Sequence, residues 1–199
     1  MNKYEKEYWD LNLLVCGIDE VGRGPIAGPL VVCGVVLPIN FEDERINDSK
    51  KLSAKKREEL YIDILDAALY VDVEVVNEKT VDAENIYQAT KLAMERISNR
   101  SKANFILLDA MPINCDKANL SLIKGDSKSV SIAAASIVAK VIRDQIMINF
   151  DYIYPQYEFK NNKGYPTKKH KEALENYGYI NIHRKSFNPI LSMIKEENN

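Results

Sequence analysis

The chain has 199 residues, 46% of them hydrophobic, which is the length of one ordinary domain with apolar material for a sizeable core. Low-complexity tracts and fixed-period repeats are absent, so disorder is expected at the termini alone. Its 27 basic and 29 acidic residues give a formal charge of −2, which excludes the global basic excess common among nucleic-acid binders and leaves any such role to local clusters.

Cys16, Cys33 and Cys115 are odd in number and widely spaced, and two lie in apolar runs; they read as reduced core residues. The polar start MNKYEKEYWD lacks a signal peptide's apolar stretch, and no apolar run approaches the roughly 18 residues of a membrane helix. The expectation is a cytoplasmic monomer with no membrane partner.

In chain order, Leu13 to Ile18 and Leu30 to Leu37 are β-branched-rich runs on either side of the turn-forming GRGPIAGP. So short a connection requires the two strands to pair antiparallel. Ser53 caps a predicted helix to about Leu69, on which Leu60, Ile64, Leu65 and Ala68 share one face. VDVEVV alternates as a strand. Thr80 or Asp82 is expected to open a helix carrying Ile86, Ala89, Ala93 and Ile97 at three- and four-residue intervals. Asn104 to Leu108 reads as a buried strand and Asn119 to Lys124 as a weaker one. A long apolar helix follows from about Ser129 to Asp151, and Pro155 prevents its extension. The tail holds a Lys-rich loop from Lys160 to Pro166, a helix from about Thr167 to Tyr177 stopped by Gly178, and a final segment around Pro189. This pattern predicts a single α/β domain, a mixed sheet flanked by helices over about residues 13–155, with a small helical C-terminal segment.

Asp19 and Glu20 are expected to end the first strand, where two adjacent carboxylates are costly to bury unless something positive meets them. Adjacent strand residues face opposite ways, so both reach one site only if the chain bends, as Gly22 and Gly24 allow. Asp109 follows the buried run FILL, so a second strand also delivers an acid. Strand ends of α/β sheets favour ligands, and hard divalent cations favour carboxylate oxygens. Solvent-facing caps and turns are the alternative for each acid taken alone. Gly22-Arg23-Gly24-Pro25 does not match GxGxxG or GxxxxGK[ST], so a nucleotide-binding loop is disfavoured; an arginine between glycines still suits a phosphate or carboxylate. Two basic clusters, Lys50, Lys51, Lys55, Lys56 and Arg57, then Lys160, Lys163, Lys168, Lys169 and Lys171, could track phosphates or form solvated faces. His170 and His183 lack a nucleophile partner and receive no chemistry.

Read in order, GIDEVGRGPIAGPLVV, INDSKKLSAKKREEL, NIYQATKLAM, LLDA, KGDSKSVSIAAASIVAKVIRD, YPQY, KGYPTKKH and IHRKSF resemble the ribonuclease HII family from about Cys16 to Pro189. The resemblance implies a ribonuclease H-like fold and a Mg²⁺- or Mn²⁺-dependent endonuclease. Its partners would be an RNA/DNA hybrid and a DNA duplex with an embedded ribonucleotide, cut on the 5′ side of the ribonucleotide. It implies an acidic set of Asp19, Glu20, Asp109 and Asp126. Gly22, Arg23, Gly24 and Tyr165 would sense the 2′-hydroxyl and the RNA-to-DNA junction, and Lys50 and Lys128 would contact substrate. Asp144, four residues after Lys140, is expected in a surface ion pair rather than in the site. LLDAM departs from the family in having alanine after the aspartate, and the chain stops soon after the shared region, which puts contacts made by longer tails in doubt. A related ribonuclease HIII and a hybrid-binding module without catalysis are the rival readings; the full set of acids counts against the second.

Overall fold

The computed structural model describes residues 1–46 and 52–197. Strand β1 (Val15–Val21) pairs antiparallel with β2 (Leu30–Val36), and β2 pairs antiparallel with β3 (Tyr70–Val76). On the other edge of β1, β4 (Phe105–Asp109) and then β5 (Ala118–Leu122) run parallel. The sheet is therefore mixed, in the order β3-β2-β1-β4-β5, with β1 at its centre. The tight loop gives the antiparallel β1–β2 pair as expected, whereas β2 and β3 pair antiparallel across a helix, Ala54–Ala67, and β4 and β5 pair parallel across residues 110–117, which hold no helix.

Both faces of the sheet are covered, and the two-residue side-chain period sorts the strands between them. Val15, Val31, Cys33, Val35, Phe105 and Leu107 pack toward α2 (Ala54–Ala67) and α5 (Val130–Ile153). Cys16, Ile18, Leu30, Val32, Ile106 and Leu108 pack toward α4 (Ile86–Arg100). Counting on by twos, Asp19 and Asp109 fall on the α5 face and Glu20 on the opposite one.

Three expectations change. Asp19 and Glu20 lie inside β1, which runs on to Val21 because Glu20 and Val21 stay in register with Val32 and Val31 of β2. The helix expected from Thr80 or Asp82 is two helices, α3 (Glu78–Glu84) and α4. Asn77 starts the first by accepting from the Thr80 N–H at 2.9 Å, and Asn85 interrupts the run at φ 61°, accepting from the N–H groups of Tyr87 and Gln88. Periodicity cannot register a break at which both halves keep the same apolar face. The Lys-rich loop also contains a short helix, α6 (Phe159–Asn162).

The polar start forms an additional helix, α1 (Lys3–Trp9), whose anchoring contact is 126 residues away in sequence. Its buried Glu5 accepts from the Ser131 N–H at 3.0 Å and from the Ser129 hydroxyl, placing a carboxylate on the N-terminus of α5. Ser129 itself caps α5 through the Ile132 N–H. No helix among the described residues is long and apolar enough to cross a membrane.

The tail, with α7 (Lys168–Tyr177) and α8 (Ile190–Glu197), makes a third apolar cluster around Tyr157, Phe159 and Met147. Within it His170 and His183 are buried, their Nε2 atoms 3.0 Å apart. Burial, reinforced by His170, pushes the His183 pKa down to about 4, and burial also lowers that of His170. The unfolded chain protonates His183 at the ordinary value while the folded chain resists, so its contribution is present above the unfolded pKa and lost as the pH falls toward about 4. Urea midpoints are expected to show a loss of about 2 to 3 kcal/mol from this residue between pH ~7.5 and ~4.5, and His183→Gln is expected to flatten that part of the profile.

Candidate active site

The acids meet at one end of the two central parallel strands. Ile18 is in register with Leu108, so Asp19 and Asp109 come next on neighbouring strands and share the α5 face. Asp19 is 4% exposed; its Oδ1 accepts from the Glu20 N–H at 2.7 Å, and its carboxylate also accepts from the Ser136 hydroxyl on α5. Burial pushes the Asp19 pKa well above the ordinary carboxylate range, and the charges of Glu20 and Asp109 push it further. Asp109 is half-buried at the end of β4 and accepts from the Gly125 N–H at 2.6 Å. Glu20 turns in from the other face at the strand's end and has Arg23 3.5 Å away.

These acids line a cleft of about 370 Å³ together with Gly22, Arg23, Gly24, Ser136, Lys140 and Tyr165. Ser136, Lys140 and Arg143 lie four and three residues apart on α5, so a single helix face runs from the acids to the glycine loop. Gly22 has φ +104°, and a Cβ there would lie 2.3 Å from Arg143 Nε. Gly24 is different: a Cβ would meet Tyr165 Cε1 at 3.5 Å, ordinary contact, which places the tyrosine ring directly over the loop.

Two fully buried arginines shape that loop from behind. Arg143 donates to the carbonyls of Pro29 (2.8 Å), Lys163 (2.9 Å) and Ala27 (3.2 Å). Arg184 donates to those of Gly22 (2.7 Å), Arg23 (3.1 Å) and Gly28 (2.9 Å), with its guanidinium over the Phe187 ring. Burial lowers both pKa values, and the neighbouring Arg143 charge helps bring Arg184 to about 10; both stay charged at neutral pH. Their donors are directed at main-chain oxygens, so they hold loop geometry.

Asp19, Glu20, Asp109, Gly22, Arg23, Gly24 and Tyr165 thus come together. Asp126 does not line the cleft: it is buried in a 3₁₀ turn, Gly125–Ser127, whose first N–H holds Asp109. Lys128 follows that turn, exposed and outside the cleft lining. Lys50 and Lys51 lie outside the described residues. Lys168 and Lys169 are engaged with Glu172 and Glu158 on the surface, which dilutes the second basic cluster. Asp144 pairs with Lys140 at 2.7 Å as expected and faces a separate hollow with Arg57 and Glu58. Among the described residues no three acidic, cysteine or histidine side chains already converge on an ion. Of the contributors that went unassigned, Ser136 and Lys140 follow from the acids only once α5 is laid on β1, and Arg143 and Arg184 act over more than 100 residues of sequence.

A family model described as ribonuclease HII matches residues 16–190, which span the cleft, the sheet from the second residue of β1 and the tail as far as the start of α8. The chain belongs to the ribonuclease HII family. A ribonuclease HII from Lactobacillus johnsonii is 50% identical over 189 residues, 94% of this chain and 76% of that one. Another, from Lactobacillus delbrueckii subsp. bulgaricus, is 51% identical over 96% of this chain and 75% of its own length. Among solved structures, the ribonuclease H2 of Pyrococcus horikoshii superposes with a TM-score of 0.76 at 25% identity, covering 94% of this chain and all of the other. The Archaeoglobus fulgidus ribonuclease HII, solved in complex with PCNA, gives a TM-score of 0.76 at 27% identity over 86% of this chain and 94% of that one. The fold is thus ribonuclease H-like, and membership of the ribonuclease HII family makes the chain a nuclease of the hydrolase class.

The two loop glycines are not equivalent in this ribonuclease HII cleft. Gly22→Ala forces a left-handed backbone and a collision with Arg143, so a stability loss of about 2 to 3 kcal/mol is expected. Gly24→Ala is expected to cost under about 1 kcal/mol. Parallel urea unfolding of the two variants checks the difference.

Proposed function

We propose that the cleft hydrolyses the RNA strand of RNA/DNA hybrids and nicks a DNA duplex on the 5′ side of a single embedded ribonucleotide, leaving 3′-hydroxyl and 5′-phosphate ends. The observation that carries this reading is the junction in one cleft of Asp19, Glu20 and Asp109 with the Gly22-Arg23-Gly24 loop and Tyr165. The acids suit phosphodiester hydrolysis. The loop and the ring suit recognition of a ribose.

Three clustered carboxylates repel a phosphodiester, so the reading requires Mg²⁺ or Mn²⁺. The donors fit such ions: they are hard oxygens, and Asp19, buried and raised by Glu20 and Asp109, is in the electrostatic position that a divalent cation relieves. Bound divalent ions would supply activation of a water and charge neutralisation at the leaving 3′ oxygen, as in two-metal sites. Asp19, Glu20 and Asp109 are the residues that would hold such ions, with Asp19 the proposed shared ligand because both other charges act on it. Asp126 is the proposed fourth acid; it follows Gly125, whose N–H Asp109 accepts.

The chain's own groups then orient the substrate. Backbone groups of the glycine loop can approach the ribose closely because Gly22 and Gly24 project no side chain. Tyr165, 43% exposed above Gly24, would contact the nucleotide whose 2′-hydroxyl distinguishes RNA from DNA. Arg23 and Lys140 line the cleft and would meet phosphates, and Lys128 and Lys50 are proposed as further substrate contacts.

A duplex with one ribonucleotide, incubated with Mg²⁺, Mn²⁺ or EDTA, tests the reading: nicking is expected with either metal and not with the chelator. Asp19→Asn and Asp109→Asn are expected to keep the wild-type circular dichroism spectrum and lose at least about a hundredfold in cleavage. Near wild-type cutting by either folded variant would move the reaction elsewhere. For the fourth acid, Asp126→Asn is expected to lower turnover at least about tenfold and Asp144→Asn to stay within about threefold. The reverse ranking would reassign that role.

A further inference from the structure

A buried pair of titratable groups with no part in the proposed hydrolysis lies in the tail. His170 and His183 lie in the tail cluster, with the Tyr157 ring edge-on to both at 6.2 and 5.2 Å and the Phe159 ring 5.4 and 5.9 Å away. On one side the pair ends at Tyr165, whose carbonyl lies 2.8 Å from His170 Nδ1. On the other it ends at the main chain of Ile180.

The proton positions follow from groups that have no choice. A carbonyl oxygen only accepts, so His170 Nδ1 carries a hydrogen and donates to Tyr165. The neutral ring then has an acceptor at Nε2, so the proton in the 3.0 Å contact with His183 Nε2 belongs to His183. The Ile180 N–H directs its hydrogen at His183 Nδ1, 3.0 Å away, so that nitrogen accepts; the Ile180 carbonyl, 3.3 Å from Nδ1, takes its hydrogen from the His183 main-chain N–H at 2.9 Å instead. The chain of hydrogen bonds runs in one direction, Ile180 to His183 to His170 to Tyr165, and is complete only while both rings are neutral. The depressed pKa values of both rings agree with that state.

The pair also joins the two substrate-facing loops. His183 bridges to Ala27, just past the glycine loop, and the next residue, Arg184, holds the carbonyls of Gly22 and Arg23. The Tyr165 carbonyl accepts additionally from the Thr167 N–H at 2.8 Å, and Pro166 restricts the backbone of Tyr165 to extended conformations. Main-chain position sets where the ring stands over Gly24.

We infer that His170 and His183 are positioning residues for substrate discrimination, a hydrogen-bonded strut that fixes Tyr165 relative to the Gly22-Arg23-Gly24 loop. The inference rests on the proposed role of Tyr165 at the ribonucleotide. A strut of this kind matters most where one 2′-hydroxyl must be recognised, and least on a long hybrid offering many registers.

The readout is the ratio of kcat/KM on a duplex with a single ribonucleotide to kcat/KM on a long RNA/DNA hybrid, in the full chain. That ratio is insensitive to the fraction of folded enzyme, which a merely structural role would change. His170→Gln, whose amide takes the place of Nε2 and abandons Tyr165, is expected to lower the ratio about tenfold. His170→Asn, whose amide can donate where Nδ1 stood, is expected to keep it within about twofold. Tyr165→Ala is run beside them. A lowered ratio for Tyr165→Ala with none for His170→Gln overturns the strut and leaves the tyrosine reading standing; an unchanged ratio for Tyr165→Ala overturns both. Nitrogen-15 NMR of the wild-type protein at pH ~7.5 provides a check free of variants. It is expected to show a His170 Nδ1–H tautomer, a His183 Nε2–H tautomer and a coupling across the N–H···N bond. The opposite tautomers, or a charged ring, would overturn the arrangement.

Discussion

Helix α5 lies against strand β1 at a distance that leaves no room for a side chain. A Cβ on Gly17 would stand 2.1 Å from the Ser131 carbonyl carbon and 2.3 Å from the Ile132 nitrogen, so the central strand and the longest helix meet backbone to backbone. That contact sets the height and phase of α5. From it follow the Ser136 hydroxyl on Asp19, Lys140 at the rim of the cleft and the Arg143 guanidinium behind the glycine loop. Glu5 and Ser129 secure the helix's first turn from below, so the same end that approaches the strand is also the end most firmly capped.

The charges of the site are arranged in layers. Carboxylates face the cleft; buried guanidiniums stand behind the loop and hold main-chain carbonyls. Because the arginine donors are spent on those oxygens, the positive charge shapes the loop without closing salt bridges over the acids. Asp19 has its pKa raised by burial first and then by the charges of Glu20 and Asp109, so burial and like charge accumulate on one residue. A buried guanidinium satisfied by three carbonyls is also rigid, since leaving would strand each carbonyl without its donor.

The C-terminal segment helps to build the cleft rather than being an appendage to the sheet. Arg184 reaches back to Gly22, Tyr165 covers Gly24, and Gly164, at φ +83°, accepts from the Ile26 N–H. Asp82 of α3 fixes the same segment by accepting from the N–H groups of Lys185 and Ser186, both at 2.9 Å. The glycine loop is therefore clamped between the sheet on one side and the tail on the other.

The sequence alone determined what local chemistry can determine. Ser53, Ser129 and Thr167 name the starts of α2, α5 and α7 because a capping hydroxyl acts within three residues, and Asp109 stands out as a candidate because it is a charge that follows a buried run. Resemblance to a family added Tyr165 and Asp126, which no periodicity singles out. Tertiary structure alone decided how adjacent Asp19 and Glu20 reach one cleft, where α3 and α4 part at Asn85, and what Ser136, Arg143, Arg184 and the histidine pair do. Each of these depends on groups meeting across loops and layers, as Arg184 and Gly22 do, and the hydrogen bonds that result carry no trace in the spacing of residues along the chain.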